Sequence, residues 1–203
     1  MHLENDLNYK VYNKKYDISQ IKKRYVELPD AVKQQRNNNP KELVELKSNT
    51  FDQRHGVQHE TIGLEMISHL RVIKEKFSIS DILYKSNFDE ELKSYALPII
   101  EDLEKEFNGK VIRAVFVNLP SGKNIYPHID EGLYAGLSHR LHVPIITNNN
   151  VIYTVGDEKF CMTEVGKLYE INNQKTHAVE NLGTEDRIHL VVLLLPSIHV
   201  DFS

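Results

Sequence analysis

The sequence predicts a mainly β protein, an antiparallel sandwich or barrel with N-terminal helices covering one face. Three observations lead there. The composition shifts once, near residue 109, from Lys-, Glu- and Asn-rich segments with helical spacing to short β-branched and aromatic runs broken by turns. Seven or eight of those runs follow, at the spacing of an antiparallel β architecture. The chain has 203 residues, 40% apolar and 27% charged, enough to bury a core without disulfide or metal staples. We expect one domain over 1–203. Its helical and mixed part, 1–109, packs on a β core, 110–203, that carries the site.

In chain order, YDISQIKKRYVEL opens a helix, with Asp17 as N-cap and Ile18, Ile21, Tyr25 and Leu28 along one face. Residues 31–60 carry no clear pattern, and TIGLEMI at 61–67 reads as a strand. DEELKSYALPIIEDLEKEFNGK is the clearest helix. Acids fill its first turn, where the helix dipole favours them, and Gly109 supplies the stop. Pro98 inside it predicts a kink or a break, because proline lacks an N–H and its ring crowds the preceding turn. Beyond 110, KVIRAVFVNL is a strand turned by PSG, IYPHID a short extended piece, and LSHRLHVPII a strand. VIYTV and KFCM form a hairpin around Gly156-Asp157. GKLYEI, KTHAVEN and RIHLVVLLL complete the set.

Charge and composition exclude several classes. The net charge is −4 and the pI about 6.2, so there is no basic surplus to neutralise phosphates, and nucleic acid is excluded as the main partner. The single Cys161 excludes a disulfide framework and a multi-cysteine zinc site. The longest apolar stretch, IHLVVLLLPSI at 188–198, falls short of the roughly 20 residues a membrane helix needs. The first residues, MHLENDLNYK, hold no apolar signal core. The expectation is a cytoplasmic protein with no membrane partner, acting on a small molecule or a peptide. Oligomeric state is not readable.

Ten histidines are present, and His2, His55, His59, His69 and His199 read as surface or core residues. His-x-Asp occurs at His128–Asp130 and at His199–Asp201. No His follows the second, whereas five follow the first, and of all ten only His177 has an Arg ten residues on, Arg187. Residues i and i+2 of an extended segment share a face about 6–7 Å apart, so His128 and Asp130 can reach one metal. His177 from a neighbouring strand completes a two-His-one-carboxylate face, which leaves adjacent positions open and suits non-haem Fe(II) oxygen chemistry. Arg187 and His189 share a face of the last strand, where a guanidinium can grip a carboxylate with two bonds. Ser138, Arg140 and His142 fall together on one face of theirs. The plain alternative for Arg140 and Arg187 is a surface salt bridge.

The segments LPSGKNIYPHID, HRLHVPIITNNNVIYTVGDEKFCM and GKLYEINNQKTHAVENLGTEDRIHLVV together resemble the aspartyl/asparaginyl β-hydroxylase family, over about residues 110–192. That family is a branch of the Fe(II)/2-oxoglutarate oxygenases. The resemblance implies a double-stranded β-helix, the jelly-roll or cupin-like barrel. It places His128, Asp130 and His177 on the iron ligands and Arg187 on the residue that grips the distal carboxylate of 2-oxoglutarate. It places Arg140 and His142 on positions that help bind the other end. Asp130 stands where halogenating relatives carry a small residue, which favours hydroxylation. Tyr169 and Leu193 stand where the family often has Trp and Asp.

The implied activity is an Fe(II)- and 2-oxoglutarate-dependent dioxygenase, with O2 as second cosubstrate. It would hydroxylate an Asp- or Asn-type side chain in a peptide, or a free amino acid such as proline. Two other classes fit part of the pattern: a cupin-like metal-binding protein without oxygenase activity, and a zinc hydrolase using the same His/Asp/His set. The arginines discriminate, because hydrolysis needs no clamp for a cosubstrate carboxylate. Residues 31–60 and 131–137 are expected to border the substrate mouth, the second as a lid with Gly132 and Gly136.

Overall fold

A computed structural model describes residues 6–34, 60–69, 76–130 and 134–202. Two antiparallel sheets face each other. The larger has the strand order β1 (Tyr9–Lys15), β10 (Lys167–Ile171), β7 (His139–Ile146), β12 (Arg187–Pro196), β5 (Gly109–Leu119), β2 (Ile62–His69), β4 (Ile82–Tyr84). The smaller runs β6 (Asn124–His128), β11 (His177–Asn181), β8 (Val151–Val155), β9 (Glu158–Phe160). The two-residue strands β3 (Phe77–Ser78) and β13 (Val200–Asp201) pair in parallel. This is the jelly-roll, double-stranded β-helix architecture that the resemblance implied. β1, β2 and β4 precede residue 109 yet extend the main sheet, so the N-terminal part supplies strands as well as helices.

Every residue of β12 is buried, because both of its faces are covered. On one face Ile188, Leu190, Val192 and Leu194 enter a core shared with α1 (Ser19–Glu27) and α3 (Glu90–Glu106). On the other, Arg187, His189, Val191 and Leu193 point between the sheets, where Leu119, Ile171, Tyr153 and Val179 form a second apolar cluster. A short helix, α2 (Asp30–Lys33), follows α1.

The helices form for the expected reasons, with local differences. Ile21 and Tyr25 of α1 are buried, but the helix begins at Ser19 and its N-cap position is Ile18 rather than Asp17. The Asp17 carboxylate still accepts a bond from the Ser19 N–H, 2.9 Å, as an Asx-type turn ahead of the helix. In α3, Leu92, Ala96, Ile99, Ile100 and Leu103 make the buried stripe. Of the kink or break expected at Pro98, the break is absent: one helix runs through it. One lost backbone bond costs less than exposing a stripe whose large side chains each contribute roughly 2 kcal/mol when buried. Asp89 caps α3 by accepting from the Leu92 N–H and also takes a two-bond ion pair from Arg24 of α1. Asn108, at φ 44°, makes the left-handed step after this helix; Gly109 is not the stop but the first residue of β5. Its lack of a side chain serves packing, since a Cβ there would lie 2.5 Å from Leu195 O and Leu194 Cδ2.

The expected hairpin turns at Gly156, φ 59°, but its second strand ends at Phe160, so Cys161 and Met162 lie beyond it. Among the described residues no helix is long and apolar enough to cross a membrane.

Candidate active site

β6 and β11 place two imidazoles side by side, their planes tilted 51° to each other. His177 is the register partner of His128, and the ring centroids are 4.2 Å apart. Asp130 follows β6 directly, held by its own N–H to Asn173 O at 3.2 Å. Its Oδ1 lies 3.6 Å from His128 Nε2 and 3.8 Å from His177 Nε2, and one potential ligand atom from each residue lies within 4.8 Å of the others.

The outer nitrogens fix the tautomers. His128 Nδ1 bonds the Tyr126 carbonyl at 2.9 Å and His177 Nδ1 bonds the Lys175 carbonyl at 3.0 Å. A carbonyl only accepts, so each Nδ1 carries a proton and each Nε2 is the ring nitrogen left to face Asp130. Nε2 of His177 is buried without a partner among the described residues. Burial, with the Arg140 charge, lowers its pKa to about 4, so the ring is neutral near pH 7. Burial alone would raise the Asp130 pKa; the Arg140 guanidinium, which donates to Oδ2, and the two imidazoles hold it well below the usual carboxylate range. Two imidazole Nε2 atoms and one carboxylate make a donor set that fits a divalent metal.

A cavity of about 100 Å³ opens beside these three residues, between the sheets. Arg140 and His142 reach it from β7 and Arg187 from β12. Arg187 is 1% exposed. Its Nη1 donates to Val117 O at 3.4 Å, its guanidinium lies 5.6 Å from the centre of the Tyr153 ring, and no carboxylate pairs with it among the described residues. Its Nε and both ring nitrogens of His142 are buried without partners among the described residues. Burial, followed by the Arg140 and Arg187 charges, pushes His142 well down, so it too is neutral. A buried cation facing unpaired donors is costly unless an anion completes it.

Ser138 does not join Arg140 and His142 at the cavity; its hydroxyl donates to Tyr134 O at 2.6 Å and closes a short 3-10 turn, Ala135–Leu137. His189 bonds the Tyr153 hydroxyl at 3.2 Å, and the ring of His69 packs edge-on against Phe77 and Tyr134. The second His-x-Asp pair lies at the β13 end of the chain, outside the candidate ligand cluster. His2, His55, His59, Gly132, most of 31–60 and 131–133 of the expected lid lie outside the described residues. Sequence reasoning missed Arg113, Tyr153 and Thr61, which also line the cavity. Alternation along β5 was the available signal: Arg113, Val115 and Val117 share the face that meets the cavity.

The jelly-roll fold is shared with two solved proteins over nearly the whole chain, one named as a 2OG-Fe(II) oxygenase family oxidoreductase. An oxygenase of that family from Burkholderia pseudomallei superposes with a TM-score of 0.52 over 96% of this chain and 94% of its own, at 10% identity. A prolyl-4-hydroxylase from Pseudomonas putida superposes with 0.53 over 93% and 92%, at 9% identity. The aspartyl/asparaginyl β-hydroxylase family model matches residues 82–195, more than half of the sequence, and the chain belongs to that family. It is also 32% identical over 84 residues to proteins named profilin in Monkeypox virus and Cowpox virus, covering 41% of this chain. The chain spans 59% of the length of those curated relatives.

Proposed function

We propose that this member of a hydroxylase family is an Fe(II)- and 2-oxoglutarate-dependent dioxygenase that hydroxylates an amino-acid residue, either an Asp- or Asn-type side chain in a peptide or a free amino acid such as proline. One observation carries the reading: a co-facial His128/Asp130/His177 set shares its cavity with Arg187, a buried guanidinium that no carboxylate among the described residues pairs with. A zinc hydrolase would have no use for that second anion site.

When bound, iron with 2-oxoglutarate and O2 supplies the oxidising chemistry for hydroxylating an unactivated C–H bond. The chain's residues do the rest. Nε2 of His128, Nε2 of His177 and the Asp130 carboxylate would hold the metal, leaving neighbouring positions open. Arg187 would bind the distal carboxylate of 2-oxoglutarate at a depth where it is 1% exposed to solvent. Arg140 holds the Asp130 carboxylate in orientation and, with neutral His142, would assist at the other end of the cosubstrate. Val115, Val117, Val179, Val191 and Leu193 supply the apolar part of the cavity lining.

The test is succinate release from 2-oxoglutarate with a panel of peptides and free amino acids, read with a +16 Da product by mass spectrometry. A compound that stimulates succinate and gains that mass supports the reading. Iron-independent hydrolysis of any panel member would replace it.

A further inference from the structure

Beside the residues assigned to the metal and the cosubstrate, the cavity is lined by a further cation, Arg113. Along the inward face of β12 the side chains run Arg187, His189, Val191, Leu193. From Arg187 to Leu193 is about 20 Å of strand. Leu193 is the register partner of Arg113 on β5 and of Arg140 on β7, so the two arginines flank it on one row of the sheet, about 10 Å apart at the backbone. Both line the cavity. Arg113 thus lines the cavity across Leu193 from Arg140, whose guanidinium is engaged by Asp130, and it is a cation that the metal and cosubstrate assignments leave unused.

The chemistry around Arg113 prepares it for a ligand. Its Nε donates to Glu65 Oε1 at 2.8 Å, which fixes the guanidinium plane. Glu65 is 6% exposed, and its other oxygen lies 3.6 Å from Lys85 Nζ. Glu65 thus orients Arg113 while sharing its own charge with a second cation. The Arg113 side chain is 29% exposed, reachable from solvent. Among the described residues that line the cavity or pair directly with those that do, Arg113, Arg140 and Arg187 stand with Glu65 and Asp130, a surplus of one positive charge in a chain of net charge −4. A divalent metal and a doubly negative cosubstrate would cancel each other and leave that surplus in place.

We propose that Arg113, held by Glu65, anchors a carboxylate of the substrate and so determines which compounds are positioned at the metal; this rests on the dioxygenase reading above. The carboxylate is either a peptide side chain or the α-carboxylate of a free amino acid. Terminal guanidinium nitrogens give it two parallel bonds, and the neutral amide of the same compound gains no Coulombic attraction.

The experiment compares acid with amide by calorimetric titration into anaerobic protein carrying Fe(II) and 2-oxoglutarate, and into the metal-free protein. The probes are acetyl-Ala-Asp-Ala-amide against its Asn counterpart, and L-proline against L-prolinamide. We expect wild type to bind the acid of at least one pair on the order of 10-fold better than its amide, and Arg113→Gln to erase that preference while 2-oxoglutarate affinity stays within about twofold. The pair that responds identifies the source of the carboxylate. Arg113→Lys keeps a charge beside Glu65 should the Gln variant not fold, and is expected to keep only part of the preference. A preference unchanged in either folded variant, or no acid that outbinds its amide, overturns the proposal. Failure of the dioxygenase reading is separately visible as loss of 2-oxoglutarate binding in wild type.

Discussion

His128 and His177 face each other across the β6–β11 pair, and each is turned by a backbone carbonyl two residues before it, Tyr126 O and Lys175 O. The same local device, repeated on two strands, aims both Nε2 atoms at one point next to Asp130. Main-chain bonds set this aim, so it persists when ligands leave, and the pocket's unpaired polar groups are a built feature of the fold.

Arg187 illustrates the cost of such a pocket. A guanidinium 1% exposed and with no carboxylate partner among the described residues destabilises the ligand-free protein. Arg187→Met is expected to raise its stability by about 1 kcal/mol or more, read by urea denaturation, while weakening 2-oxoglutarate on the order of 100-fold. A variant that loses stability and still binds 2-oxoglutarate normally would remove Arg187 from the site.

Ligands that bind only the folded chain stabilise it. Saturating Fe(II) with 2-oxoglutarate at about 100 times its Kd should add roughly 2.7 kcal/mol, and a chelator should reverse the metal's contribution. Thermal melts with and without chelator check this. A melting temperature indifferent to both additions contradicts it.

Asp89 ties two helices together, and its pKa is lowered by the bonds from Arg24. A depressed carboxyl stabilises the fold above the ordinary Asp pKa of about 3.9 and loses that contribution as pH falls through the lower folded value. Asp89→Ala should cost about 1–2 kcal/mol near pH 7, from the lost cap and pair. The deficit should shrink on acidification below about pH 4. Denaturation at pH 7 and pH 3 tests it; a deficit equal at both would place its origin elsewhere than in the charge.

Gly109→Ala should destabilise by more than about 1 kcal/mol, because the added carbon meets a backbone carbonyl, Leu195 O, that cannot rotate away. A change within about 0.5 kcal/mol in urea would show that β5 and β12 can separate there without loss.

Much of this was legible from the chain itself. β12 announced its two covered faces as a continuous apolar run with Arg187 and His189 in alternation, and α3 its buried stripe. β1 was not legible: YKVYNKK is a half-exposed edge strand whose lysines mask the alternation. β3 and β13 are too short to carry a period. Arg113 was hidden inside an apolar strand, and its relation to Glu65 depends on the β2–β5 pairing, which crosses a bulge that no local pattern encodes. The neutral state of His142 and His177 follows from burial, a tertiary property.

The most direct measurement is a titration of 2-oxoglutarate into anaerobic Fe(II)-loaded protein, following the metal-to-ligand charge-transfer absorption, in wild type and in His177→Ala. Wild type should develop the band to saturation at one iron per chain. The variant should remain folded by circular dichroism, bind iron at least about 100-fold more weakly, and give no band at stoichiometric metal. A folded His177→Ala protein that develops the wild-type band at the wild-type concentration would contradict the assignment of His128, Asp130 and His177 as the metal site.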